Sequence, residues 1–155
     1  GLYQMADADT ESHHTLAEAA RRVPKGVTCL LSALAFHGVT DQMPRKVWVA
    51  IGPKAWKPQV DDPPLRIVRF AEKFLLDGIE NHVIEGVSVP IHGLVKTLVD
   101  AFRHRRSVGT DVVVQSLKEA LRQGKTTPAE IAAAAARGGV WTGMRPYLEA
   151  LVADA

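Results

Sequence analysis

The stretch HVIEGVSVPIHGLVKTLVDAFRHRR, residues 82–106, decides the fold. Its first ten residues are rich in valine and isoleucine around Glu85-Gly86, which predicts two short strands joined as a β-hairpin. The period then changes. From Leu94 onward the apolar residues Leu94, Val95, Leu98, Val99 and Phe102 fall on one broad arc of a helical wheel, and Lys96, Asp100 and Arg103 stand within roughly 60° of one another beside it. A hairpin that runs into an amphipathic helix predicts a sheet packed by helices.

The charged stripe has two physical readings. Asp100 lies four residues after Lys96 and three before Arg103, so the three can form an exposed ladder, in which each pair contributes only about 0.3 to 0.5 kcal/mol. Alternatively, Arg103, His104, Arg105 and Arg106 precede the glycine-containing SVGTD and form a basic corner able to touch phosphate. Arg66 and Arg69 on LRIVRF, with Arg45 and Lys46, could extend such a surface; as plain solvated residues of a strand face they need no ligand.

Outward from this stretch, strands lie before it and helices after. KVWVAI (46–51) and LRIVRF (65–70) carry β-branched residues and are separated by the proline-rich GPKAWKPQVDDPP; LRIVRF is expected near an edge with its arginines out. GVTCLLSALAFHG (26–38) runs apolar for about three turns and stops at Gly38, which predicts a buried helix. In SHHTLAEAARRVPKG, Thr15 and Glu18 have capping-box spacing, which starts a short helix at Leu16 that ends at Pro24. GLYQMAD reads as the last strand of something upstream. Towards the C-terminus, GTDVVVQSLKEALRQG stops at Gly124, and in TTPAEIAAAAARGG Thr127 caps, Pro128 takes the first turn and Glu130 completes the box. VWTGMRPYLEALVADA adds a helix interrupted or entered at Pro146. The expected fold is a single α/β domain of mixed α+β type, with a mixed sheet of about four to five strands, about five to six helices and a helical last third.

Composition narrows the function. Among 155 residues nineteen Lys and Arg nearly balance seventeen Asp and Glu, so the net charge is +2 and no global field draws the chain to phosphate or an anionic membrane. With 46% apolar residues the chain can bury a core. The lone Cys29 allows neither an internal disulfide nor a cysteine-based zinc cluster, and a reducing cytoplasm is expected. The six histidines show no H-E-x-x-H and no i, i+4 pair, so no metal is expected. Ser32 and Cys29 sit in the buried apolar run and no G-x-S-x-G elbow occurs, so no catalytic residue is expected. No phosphate-binding glycine loop and no other cofactor signature is present. Asp77, Glu80 and Glu85 stand roughly where a restriction-endonuclease-like core holds magnesium, but Glu85 is followed by Gly86 and Val87 and leads to no lysine. Two alternative classes therefore stay open, a degenerate or metal-dependent endonuclease-like enzyme and an interaction module, the latter with Trp141, Met144 and Tyr147 either docking a partner or packing in the core.

Four pieces in order, P-x-G-V-x-C-L-x-S-A-L-x-F-H (24–37), G-I-E-x-H-x-I-E-G-V-x-V (78–89), K-T-L-V-D-x-F-R-x-R (96–105) and M-R-P-Y-L-E (144–149), give nearly the whole chain a likeness. It resembles the C-terminal domain of AbiEi-type antitoxins, the transcriptional regulators of type IV toxin–antitoxin systems. The resemblance implies a non-enzymatic, cytoplasmic domain (9–155), with residues 1–8 a remnant of the wing strand of an N-terminal winged helix. It implies operator DNA as a partner, met chiefly through that missing winged helix, and a functional link to a nucleotidyltransferase-like toxin that need not involve direct contact. Lys96, Asp100, Arg103 and Arg105 match positions of such domains, but the likeness gives them no role: either Asp100 joins Lys96 and Arg103 in a partly buried network where the helix meets the sheet and fixes the domain's geometry, or Arg103 to Arg106 supplement the lost winged helix by gripping operator phosphate. The chain departs from the common S-P-A-K-T at the start of the stripe helix, with His92-Gly93 where the capping serine would stand.

Overall fold

The computed structural model describes residues 2–154, with side chains from Thr10 onward. The hairpin is as expected: β4 (Ile79–Ile84) and β5 (Val87–His92) pair antiparallel from Ile84↔Val87 to Ile79↔His92. Glu85 and Gly86 both have positive φ (51° and 77°), the requirement of the two-residue turn whose twist matches that of the strands. Inward from β5 lie the two-residue β1 (Val27–Thr28), then β2 (Val47–Ile51) and β3 (Leu65–Arg69), in the order β3-β2-β1-β5-β4. β1 runs parallel to β5 and antiparallel to β2, and β2 runs parallel to β3. This five-stranded mixed sheet and its helices give the α+β class read from the sequence, and β3 is an edge strand as predicted.

Every residue of β2 is buried because both faces of the sheet are covered. On one face Val49, Val89 and Ile91 pack with Leu16, Ala19 and Val23 of α1 (Leu2–Arg22). On the other, Trp48 and Ala50 share a core with Leu34 of α2 (Leu30–Phe36), Leu98 and Phe102 of α4 (Leu94–Arg103), Leu117 of α6 (Thr110–Arg122), Ile131 of α7 (Pro128–Arg137) and Met144 of α8 (Trp141–Ala153). Each fully buried aliphatic side chain of this kind contributes about 1.5–3 kcal/mol. Two short helices complete the chain, α3 (Glu72–Leu76) and α5 (Arg105–Val108), making eight among the described residues. No described helix is long and apolar enough to cross a membrane.

Three expectations are corrected. The strand over residues 1–8 and the helix start at Leu16 give way to one helix from Leu2, because no glycine or proline breaks the chain before Pro24. Thr15 therefore caps nothing: its hydroxyl donates to the Glu11 carbonyl one turn back (2.8 Å). The apolar run 26–38 is only partly helical. Its first residues form β1, whose backbone is claimed by strands on both sides, and α2 begins after Cys29 at Leu30, held at φ 47°. The third concerns α8, which passes through Pro146 instead of entering there. The C-terminal stops and the Thr127 cap stand as read, with Gly38 and Gly124 at positive φ and Thr127 accepting the Glu130 amide (3.2 Å), but the reciprocal half of the expected capping box does not form. The Glu130 carboxylate takes the Thr126 hydroxyl (3.2 Å).

Candidate functional site

The stripe is a buried ionic centre. Helix α4 follows β5 directly; Gly93 offers no capping side chain, and the Thr97 hydroxyl bonds back to the Gly93 and His92 carbonyls (2.7 and 3.1 Å), tying the first turn to the strand end. One turn later Asp100 is 1% exposed. Its Oδ1 accepts Arg103 Nη1 at 2.7 Å, and Lys96 Nζ stands 3.0 Å from its Oδ2. The exposed ladder is thereby replaced by an ion triad inside the domain, where partners are screened far less than at a surface.

What buries the triad comes from distant parts of the chain. Phe74 of α3 lies across both cations, with the Arg103 guanidinium 4.0 Å and Lys96 Nζ 5.4 Å from the ring centre. Arg103 Nη2 donates to the Gly138 carbonyl (2.6 Å) at the end of α7, and any Cβ at Gly138 would sit 2.8 Å from that same nitrogen. A side chain at 138 would therefore displace the Arg103 guanidinium and Val99. His92, fully buried, donates from Nε2 to the Leu75 carbonyl (2.9 Å) and stacks on Phe70, while its Nδ1 faces Asp100 Oδ2 at 3.9 Å without bonding to it. His37 Nε2 donates to the His92 carbonyl (2.8 Å), so α2, α3, α4, β5 and α7 all meet at this centre.

Burial pushes the pKa of His92, His37 and His104 below the usual histidine range, and for His92 the Leu75 carbonyl and the Asp100 charge offset part of that. With the folded pKa lowered, the unfolded chain takes up protons that the folded chain refuses as pH falls through the ordinary histidine value near 6.5, so stability falls there. Thermal melts at about pH 7.5 and about pH 5.5 should show a lower midpoint at the acid end. Replacing His104 by Phe, which keeps the stacking shape, should reduce that difference; an unchanged midpoint would contradict the burial of these rings as neutral groups.

The basic residues named from the sequence are brought to one edge but are mostly engaged. His104 stacks on Phe70 (5.1 Å, 12°), which sets the end of α4 beside the end of β3. Arg103 is held in the triad. Arg105 donates to the Phe102 carbonyl (3.0 Å) with its guanidinium 4.4 Å above the Phe102 ring. Arg66 lies over Trp48 (4.2 Å), and Arg69 Nη1 donates to the Gly52 and Ala55 carbonyls (3.1 and 2.8 Å). Arg106 is exposed and has no intramolecular partner among the described residues; Arg45 and Lys46 are exposed at the start of β2.

The other candidates are dispersed. Glu80 pairs with His82 (2.9 Å) and Glu85 with His14 (2.7 Å), and among the described residues no three His, Cys, Asp or Glu side chains gather as metal ligands. Cys29 is buried and its thiol is held well above its ordinary pKa, which disfavours the thiolate; Ser32 Oγ accepts the Trp48 amide (2.9 Å). Met144 is buried, whereas Tyr147, packed edge-on against Phe102, is 38% exposed and Trp141 is half-buried, so only one face of this part of α8 belongs to the core. The sequence reading missed Phe74 and Gly138. The apolar FLL of α3 was a signal for the former; nothing local marked the latter.

No family model matches the chain, and no curated protein is detectably similar to it.

Proposed function

We propose that the chain is the antitoxin domain of an AbiEi-type regulator: a non-enzymatic cytoplasmic module that counteracts a nucleotidyltransferase-like toxin and assists operator binding by the regulator to which it belongs. The observation that carries this reading is where the resembling stretches meet. The stretch over 24–37 ends at His37, which bonds His92 at the end of the hairpin, and His92 abuts the helix whose Lys96, Asp100 and Arg103 form the triad. His37, Lys96, Asp100 and Arg103 of this centre lie in the resembling stretches, while His92, which joins them, stands where the chain departs from the likeness; Arg106, Arg66, Arg45 and Lys46 remain among the exposed bases open to phosphate.

The test is growth. Expressed with the nucleotidyltransferase-like toxin of its own operon, the folded chain should restore colony formation, and failure to do so at matched expression would overturn the reading. On operator duplex, Arg106→Ala combined with Arg66→Ala should lower the slope of log affinity against log salt by about 2, one per phosphate contact removed. A slope equal to that of the unaltered chain would remove DNA from the proposal and leave the antitoxin activity standing.

A further inference from the structure

We propose that the loop over residues 52–58, GPKAWKP, is a preformed contact site for single-stranded nucleic acid, with Trp56 as the stacking platform and Lys54 and Lys57 as the phosphate contacts. Trp56 is 96% exposed, whereas Trp48 is 5% exposed. A chain this apolar can bury an indole, and a tryptophan left wholly in water on a folded loop forgoes that gain. Both flanking lysines are exposed, and residues 52–60 carry no acidic side chain. A tryptophan flanked in sequence by two exposed lysines complements a strand in which each base lies beside a phosphate.

The loop is also held in shape. Arg69, at the end of β3, donates from one Nη1 to the carbonyls of Gly52, Pro53 and Ala55 (3.1, 3.3 and 2.8 Å). The Ala55 amide closes the turn on the Gly52 carbonyl (3.3 Å), and Pro53 and Pro58 restrict the backbone on either side of the tryptophan. A ring presented on such a loop has less ordering entropy to lose on binding. Arg69, read from the sequence as a direct phosphate contact, is in this arrangement the anchor of the residues that make the contact.

Chemistry selects the single strand over other partners. Entering a duplex would require unstacking a base step, whereas single strands offer faces already open. A membrane surface is less suited, because the loop presents one ring between two charges and lacks a broad apolar face. DNA and RNA share the base and the phosphodiester that the loop would recognise, so both belong in the test. The proposal does not depend on the antitoxin reading: growth rescue can fail while oligonucleotide binding stands.

The experiment is titration of the full chain with oligothymidylate and oligouridylate of about twelve nucleotides, read by quenching of tryptophan fluorescence and by anisotropy of the labelled strand. Trp56→Ala should weaken binding by about ten- to a hundredfold and Trp56→Phe by less. Lys54→Ala with Lys57→Ala should lower the salt slope by about 1.4. Thermal midpoints should not move, since these side chains are solvent-exposed. Failure to bind either strand at low salt, equal binding by Trp56→Ala, or binding of duplex as tight as of single strand would each overturn the proposal. A shift of Trp56 emission on phosphatidylserine vesicles without oligonucleotide binding would assign the loop to a membrane surface instead.

Discussion

Asp100→Ala should lose about 3–5 kcal/mol of stability, a large share of the about 5–15 kcal/mol that folded domains commonly have. The substitution leaves Lys96, 10% exposed, and Arg103, 22% exposed, without their counter-charge under Phe74. The Gly138 carbonyl still accepts from Arg103, but a single carbonyl dipole does not neutralise two cations. The informative comparison is the triple replacement Lys96→Met, Asp100→Leu, Arg103→Met. A buried ionic cluster gives back most of its attraction as desolvation, so the apolar triple should recover much of the loss, and most of it if the new side chains pack well. Urea midpoints for the two variants decide between the pictures. A loss below about 1 kcal/mol for Asp100→Ala would mean that the stripe behaves as an exposed ladder after all.

Spacing alone leaves the stripe open between an exposed ladder and a partly buried network, and what decides for the second shows where legibility ends. The helical wheel places Lys96, Asp100 and Arg103 together because spacing along one helix is local information. Burial of that stripe depends on Phe74 and Gly138, which stand on other elements and reach it only through the fold. The same division runs through the secondary structure. The Glu85-Gly86 turn, the Gly38 and Gly124 stops and the Thr127 cap are legible because turn and cap chemistry lies within a few residues. β1 is not, since Val27 and Thr28 belong to an apolar run that suits a helix equally well and become a strand through pairing with Ala50, Val49 and Ile91. Thr15 and Glu18 have the right spacing for a cap, but an uninterrupted helix upstream satisfies the Thr15 hydroxyl another way. Arg69 illustrates the same limit for function: whether a cation is free depends on carbonyls across the sheet end, which its neighbours in sequence do not reveal.

Phe102→Ala should cost about 3–5 kcal/mol, close to the Asp100 effect but by a different route. The ring is 2% exposed and has three partners of different kinds. Tyr147 of α8 meets it edge-on at 5.6 Å, the Arg105 guanidinium covers it at 4.4 Å, and α8 comes near enough at Gly143 that a Cβ there would lie 3.2 Å from the ring. Truncation therefore leaves a cavity between α4 and α8 and removes the surface on which Arg105 rests. Phe102→Leu, nearer in volume, should cost less and still remove the cation–π contact of Arg105, whose hydrogen bond to the backbone carbonyl of residue 102 remains. Urea midpoints measure the first effect, and amide exchange in α8 locates it: with Ala at 102, α8 should open at a lower free energy than α4 or the sheet. If exchange instead rises evenly through all elements, Phe102 supports the whole core and the α4–α8 contact is not a separable seam. Were the Ala variant to lose less than about 1 kcal/mol, the side chains around it would have to collapse into the space, which the close approach of α8 at Gly143 makes the least available response.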